Sequence, residues 1–196
     1  MQVKQLWLLF IGVIAMNVNA QTISLDEAKI RSNINSFSAL ADQGAFEYLG
    51  RLFAPELTVD YTTLFGGEAQ QVKRQSLMQQ WAAFLSGFDV TFHDLSNVNV
   101  FIDNDKASAT VEFTASHWLG GEGFWAVSGE YEFGFQREGD TWQITSVKLN
   151  RKAEQGSRDV LAEVPKHALK NLKVREANKV KYQQIHQLNI TSHISP

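Results

Sequence analysis

Hydrophobic positions in the first third of the chain recur at the spacing of a helix. Ile30, Ile34, Phe37 and Ala41 fall on one stripe, with Leu40 beside it. Ser24-Leu-Asp-Glu27 ahead of them is a capping box, and Gly44 offers the left-handed residue that ends a helix near Asp42. Ala45 to Phe53 predicts a second short helix with Phe46, Leu49, Leu52 and Phe53 inward, stopped by Pro55. Leu57 to Tyr61 reads as a short strand, and Gly66-Gly67 as a loop. Val72 to Leu85 reads as a third helix with Leu77, Trp81, Phe84 and Leu85 on one side, ended by Gly87. Beyond it the period changes to two. Strands are expected at 89–102, 107–118, 124–137 and 141–152, the first broken near Ser96-Asn97. Asp103-Asn-Asp105 and Glu138-Gly-Asp140 supply turns, and Leu119 to Gly123 a looser connection. Ser157 to Leu172 is again helical, interrupted by Pro165.

Helices first and an antiparallel meander after them make an α+β layout. Four long strands need their apolar face covered, and the N-terminal helices are the material for it. A curved sheet wrapped around helices leaves a cone with an open mouth, a concavity suited to a small ligand.

The chain ends refine this picture. Lys4, the apolar run from Leu6 to Met16 and the small-residue site Val18-Asn19-Ala20 read as a cleavable signal peptide over residues 1–20. The chain is therefore expected in the periplasm or outside the cell. The remaining 176 of 196 residues suit one domain, at 21–163, with a basic extension at 164–196. No later segment is apolar and long enough for membrane insertion. With no cysteine, disulfides, thiol nucleophiles and zinc–thiolate sites are excluded. From Gln21 to Pro165, eleven Lys/Arg stand against twenty Asp/Glu, a net of −9; from Lys166 onward, six stand against one, a net of +5. An acidic body disfavours nucleic acid.

Two histidines carry the candidate chemistry. His117 continues the apolar face of Val111, Phe113 and Ala115, while Thr110, Glu112, Thr114 and Ser116 occupy the other face. His93 lies on the preceding strand, and a hairpin turning near Asp103 to Lys106 pairs it with residues 115–117. Asp42, at the exit of the covering helix, offers a carboxylate to orient one ring. The same three residues could form a facial metal set, but none sits at His-x-x-x-His spacing, and no metal or other cofactor is assigned. No glycine-rich phosphate loop or nucleophile elbow occurs.

The run from Ala41 through Asp42, Phe46, Leu49, Phe53 and Pro55 to Asp60-Tyr61, together with Trp142-Gln-Ile, resembles the SnoaL-like branch of the NTF2-like superfamily over roughly 23–163. The resemblance implies an NTF2-like cone, N-terminal helices packed in a curved antiparallel sheet, often dimeric through the outer sheet face. Within that superfamily the residues are most similar to the scytalone dehydratase pattern. That likeness implies a catalytic set of Asp42, His93 and His117, with Tyr61 as a pocket tyrosine. Ala41 stands where that pattern has its second tyrosine. The pattern's pocket asparagine falls at Glu130 or Tyr131, and alternation with Phe133 and Phe135 points Tyr131 inward. Ketosteroid isomerase fits worse, because Phe37 and Tyr61 replace its tyrosine and aspartate. Two functions follow as expectations. One is a cofactor-independent dehydratase or isomerase acting on a small, largely apolar cyclic molecule, with His117, oriented by Asp42, as base and His93 or Tyr61 as acid. The other is a binding module without catalysis. Phe65, Trp81 and Trp118 are expected to join Tyr61 and Tyr131 around the ligand. Alternatively, Trp118, Trp125 and Tyr131 would mark a homodimer surface.

Overall fold

The computed structural model describes residues 23–174, and the expected signal peptide and most of the basic extension lie outside them. Its elements are α1 (Leu25–Asp42), α2 (Phe46–Gly50), β1 (Phe53–Asp60), α3 (Thr62–Phe65), β2 (Gln70–Lys73), α4 (Arg74–Leu85), β3 (Val90–Asp103), β4 (Lys106–Leu119), β5 (Gly123–Glu138) and β6 (Thr141–Gly156). A 3-10 turn at Arg158–Ala162 and a helix over 164–174 follow, with Pro165 in the first helical turn, where its missing N–H costs nothing.

The six strands form one sheet in the order β2-β1-β6-β5-β4-β3. β3 to β6 are the expected antiparallel meander, whereas β1 runs parallel to β6 and carries β2 on its outer edge. Register shifts at Ser96/Asn99, Ser128/Gly129 and Gly134/Phe135 bend the sheet, and Asn97 takes a left-handed φ of 51° at the first of them. The curved sheet wraps α1, whose Ile30, Ile34, Phe37 and Ala41 are buried against it. Phe37 sits at the centre, edge-on to Phe53, Trp81, Tyr131 and Phe133 at centroid distances of 5.3–6.2 Å.

The sequence misplaces three features here. The second helix stops at Gly50, and the chain is already extended at Phe53. Pro55 falls inside β1, where the pairing to β6 is interrupted between Phe53 and Thr58, so its missing donor breaks no ladder bond. Both α3 and β2 are only four residues long, too short to show a period.

Polar contacts seat α1 in the sheet. The Asn33 amide donates to the Trp142 carbonyl at 2.7 Å, Arg31 to the Val98 carbonyl at 2.9 Å, and the Trp142 indole to Asp26 at 3.0 Å. The Ser24 hydroxyl oxygen accepts from the Glu27 amide at 3.1 Å, while the Glu27 carboxylate pairs with Arg31 rather than reaching back. Ser24→Ala should therefore lower stability by about 1 kcal/mol in urea denaturation, the usual worth of an N-cap.

Candidate active site

α1 ends against β3, the strand at one edge of the sheet, so the edge N–H groups of β3 have no strand to bond on that side. Asp42, the last residue of α1, occupies that position. One carboxylate oxygen accepts from the His93 backbone N–H at 2.8 Å; the other accepts from the Thr91 hydroxyl at 2.9 Å and lies 2.6 Å from Nδ1 of the His93 ring. Thr91 and His93 reach the same carboxylate because alternate residues of a strand share a face. Burial acts to raise the Asp42 carboxyl, but the hydrogen bonds from His93 and Thr91 and the nearby imidazole outweigh it and hold the group below its ordinary value. A carboxylate only accepts, so Nδ1 of His93 carries the proton and, in the neutral ring, Nε2 is left as the basic nitrogen.

His117 stands one strand inward. Its ring is 5.9 Å from that of His93 and nearly perpendicular to it, since His93 pairs with Ala115 and Thr91 with His117 across the hairpin. It is 4% exposed and packed against Phe88 and Trp125, at 4.8 and 4.9 Å. Its Nδ1 lies 3.2 Å from the carbonyl of Trp125, its register partner on β5. That carbonyl fixes the proton on Nδ1 and leaves Nε2 an acceptor. Burial first, and the neighbouring His93 second, push the His117 imidazole down to about 4, so the ring is neutral at physiological pH.

Both imidazoles line a cavity of about 280 Å³. Its walls are aromatic: Phe37, Phe65, Trp81, Phe84, Phe113, Trp125 and Tyr131, with Phe113 and Tyr131 stacked at 4.0 Å. Tyr61 and Tyr131 add phenols whose ionisation is pushed up, by burial in both cases and for Tyr131 also by Tyr61 and Asp42. Both therefore stay protonated donors. A dry cavity of about 150 Å³ holds a benzene ring, so this space suits one or two rings.

Of the residues expected from the sequence, His93, His117, Tyr61, Tyr131, Phe65 and Trp81 meet in this cavity. Three expectations are corrected. Asp42 orients His93, not His117, because the end of α1 reaches the edge strand and not the one behind it. It stands behind His93 and is not part of the cavity lining, which makes it a positioning residue. Trp118 is 38% exposed and packs on Phe124 outside the cavity, since its neighbour His117 takes the inward face. Trp125 and Tyr131, weighed as dimer-surface residues, are instead buried walls. Thr91, Phe84, Phe113 and Trp125 are contributors that the sequence reading missed; alternation with Val127 and Tyr131 was the available signal for Trp125. Asp42 is taken up by His93 and Thr91, and among the described residues no group of three His, Asp or Glu side chains gathers as a metal site. No helix among them is long and apolar enough to cross a membrane.

Comparison with known proteins agrees with the fold. The SnoaL-like domain family matches residues 22–148. The uncharacterized protein Rv2910c of Mycobacterium tuberculosis is 30% identical over 127 residues, covering 61% of this chain and 80% of the relative. Among solved structures, the Kfla4162 protein of Kribbella flavida superposes with a TM-score of 0.62 at 28% identity, over 66% of this chain and 93% of its own. A protein from Novosphingobium aromaticivorans described as a candidate scytalone dehydratase superposes with a TM-score of 0.56 at 20% identity, over 67% of this chain and 87% of its own.

Proposed function

The chain belongs to the SnoaL-like domain family, and from that premise we propose that it is an exported, cofactor-independent dehydratase or isomerase acting on a small, neutral cyclic ketone. The observation that carries this reading is the Asp42–His93 pair with its basic nitrogen left over in an aromatic cavity. In the proposed reaction His93 Nε2 takes a proton from the carbon beside the ketone. A phenol, Tyr61 or Tyr131, donates to the carbonyl oxygen as negative charge builds there. The Asp42 carboxylate stabilises the imidazolium formed on His93. That imidazolium then returns its proton, either to a departing β-hydroxyl, which leaves as water, or, in a β,γ-unsaturated ketone, to the γ-carbon, which moves the double bond into conjugation with the carbonyl. His117, neutral and presenting an acceptor, holds a ligand hydroxyl in place.

The candidate scytalone dehydratase from Novosphingobium shares the fold and makes dehydration the first reaction to assay. Binding is tested with 2-tetralone, a two-ring ketone of the right size, followed through the fluorescence of Trp81 and Trp125. Saturable quenching that disappears in Phe113→Trp, which fills the cavity, is expected. Quenching unaffected by that substitution would place the ligand elsewhere and remove the basis for the reading.

A further inference from the structure

We propose that the helix over 164–174 docks this domain onto bilayer surfaces that contain anionic phospholipid. This helix lies outside the cavity machinery, and the inference does not depend on what the cavity does. Its inner side is fixed to the body. Val164 and Ala168 are buried, and the Asn171 amide donates to the Ser86 carbonyl at 2.7 Å. At Gly87 the backbone passes so close that an added Cβ would meet the Val164 carbonyl at 2.3 Å. The helix is thus held against the turn that ends α4, directly after Leu85 of the cavity lining.

Its outer side has a different character. At 3.6 residues per turn, Lys166, Lys170 and Lys173 fall on one stripe opposite the buried positions. Leu169 and Val174 flank the stripe and are 67% and 52% exposed. Lys166 is paired with Glu163 at 3.0 Å, whereas Lys170 and Lys173 have no carboxylate partner among the described residues. Lysines flanked by exposed aliphatic side chains are what an interfacial helix presents, the ammonium groups at the headgroups and the aliphatic groups just below. The charge distribution gives the approach a direction. Residues 166–196 carry a net of +5, from six Lys/Arg and one Glu, against −9 for residues 21–165. An anionic surface therefore attracts this end and repels the rest. The consequence would be a cavity for an apolar ligand held next to the phase in which such ligands dissolve.

Sedimentation of the chain from Gln21 to Pro196, which keeps every described residue, tests this with vesicles of phosphatidylglycerol and phosphatidylcholine and with phosphatidylcholine alone. Binding to the anionic vesicles only is expected, weakened by high salt. At about five-fold per lysine, Lys170→Gln with Lys173→Gln should reduce it more than tenfold, with the thermal melt unchanged. Leu169→Ser should weaken binding without altering its salt dependence, and it serves as the test if the double variant melts early. Failure to bind anionic vesicles, equal binding to neutral ones, or binding undiminished by these substitutions would overturn the proposal. So would equally tight binding of a random DNA duplex through the same lysines, which would make the helix a general polyanion surface.

Discussion

His93→Gln lowers turnover by about 10²–10⁴-fold while leaving the fold intact, the loss expected when a single general base is removed. Glutamine matches the reach of the imidazole but cannot take up a proton. Asp42→Asn acts through the same ring. It keeps the shape of the side chain and removes the charge that stabilises the imidazolium, so kcat should fall with little change in KM, because Asp42 does not line the cavity. A structural role alone would instead move the melting temperature and leave the kcat-to-KM split unaltered. His93→Gln with full activity on a substrate that binds in the cavity would remove His93 from the mechanism.

The second large effect is on stability in acid. The folded state holds His117 at about 4, below its ordinary value of 6.5. Above pH 6.5 the ring is neutral in both states, and stability is unaffected. As pH falls from about 6.5 to about 4, the unfolded chain takes a proton that the folded chain refuses, so stability declines through this window. At about 1.4 kcal/mol for each pH unit, the decline amounts to roughly 3 kcal/mol. Asp42 acts in the same direction lower down: its depressed carboxyl contributes stability above its ordinary value of 3.8, lost as pH falls below it. His117→Gln keeps a donor for the Trp125 carbonyl and removes the titration. Urea denaturation between neutral pH and pH ~4 should show the wild-type decline flattened in this variant. An unchanged slope would mean that another group carries the acid sensitivity.

Much of this molecule can be read from period and punctuation. The switch from helical to two-residue spacing near Gly87 separates the helices from the meander, and the turn at Asp103 to Lys106 makes neighbours of His93 and His117. What could not be read was set by three-dimensional reach. The carboxylate of Asp42 belongs to His93 because the edge strand leaves a backbone N–H free beside it, a fact of strand order with no local signature. α3, which brings Leu64 and Phe65 to the cavity, is a single turn and shows no period. Trp118 is different. The alternation that turns His117 inward turns Trp118 outward, so its place outside the cavity is legible in strand parity alone.

The claim that the cone holds a working base is tested most directly by proton exchange. 2-Tetralone incubated in D₂O with the protein should lose the NMR signals of the protons beside its carbonyl faster than in buffer. The rate should saturate with ketone and fall to the buffer rate with His93→Gln. A ketone that binds in the cavity yet exchanges no faster than in buffer would contradict a proton-transfer site and leave a binding module in its place.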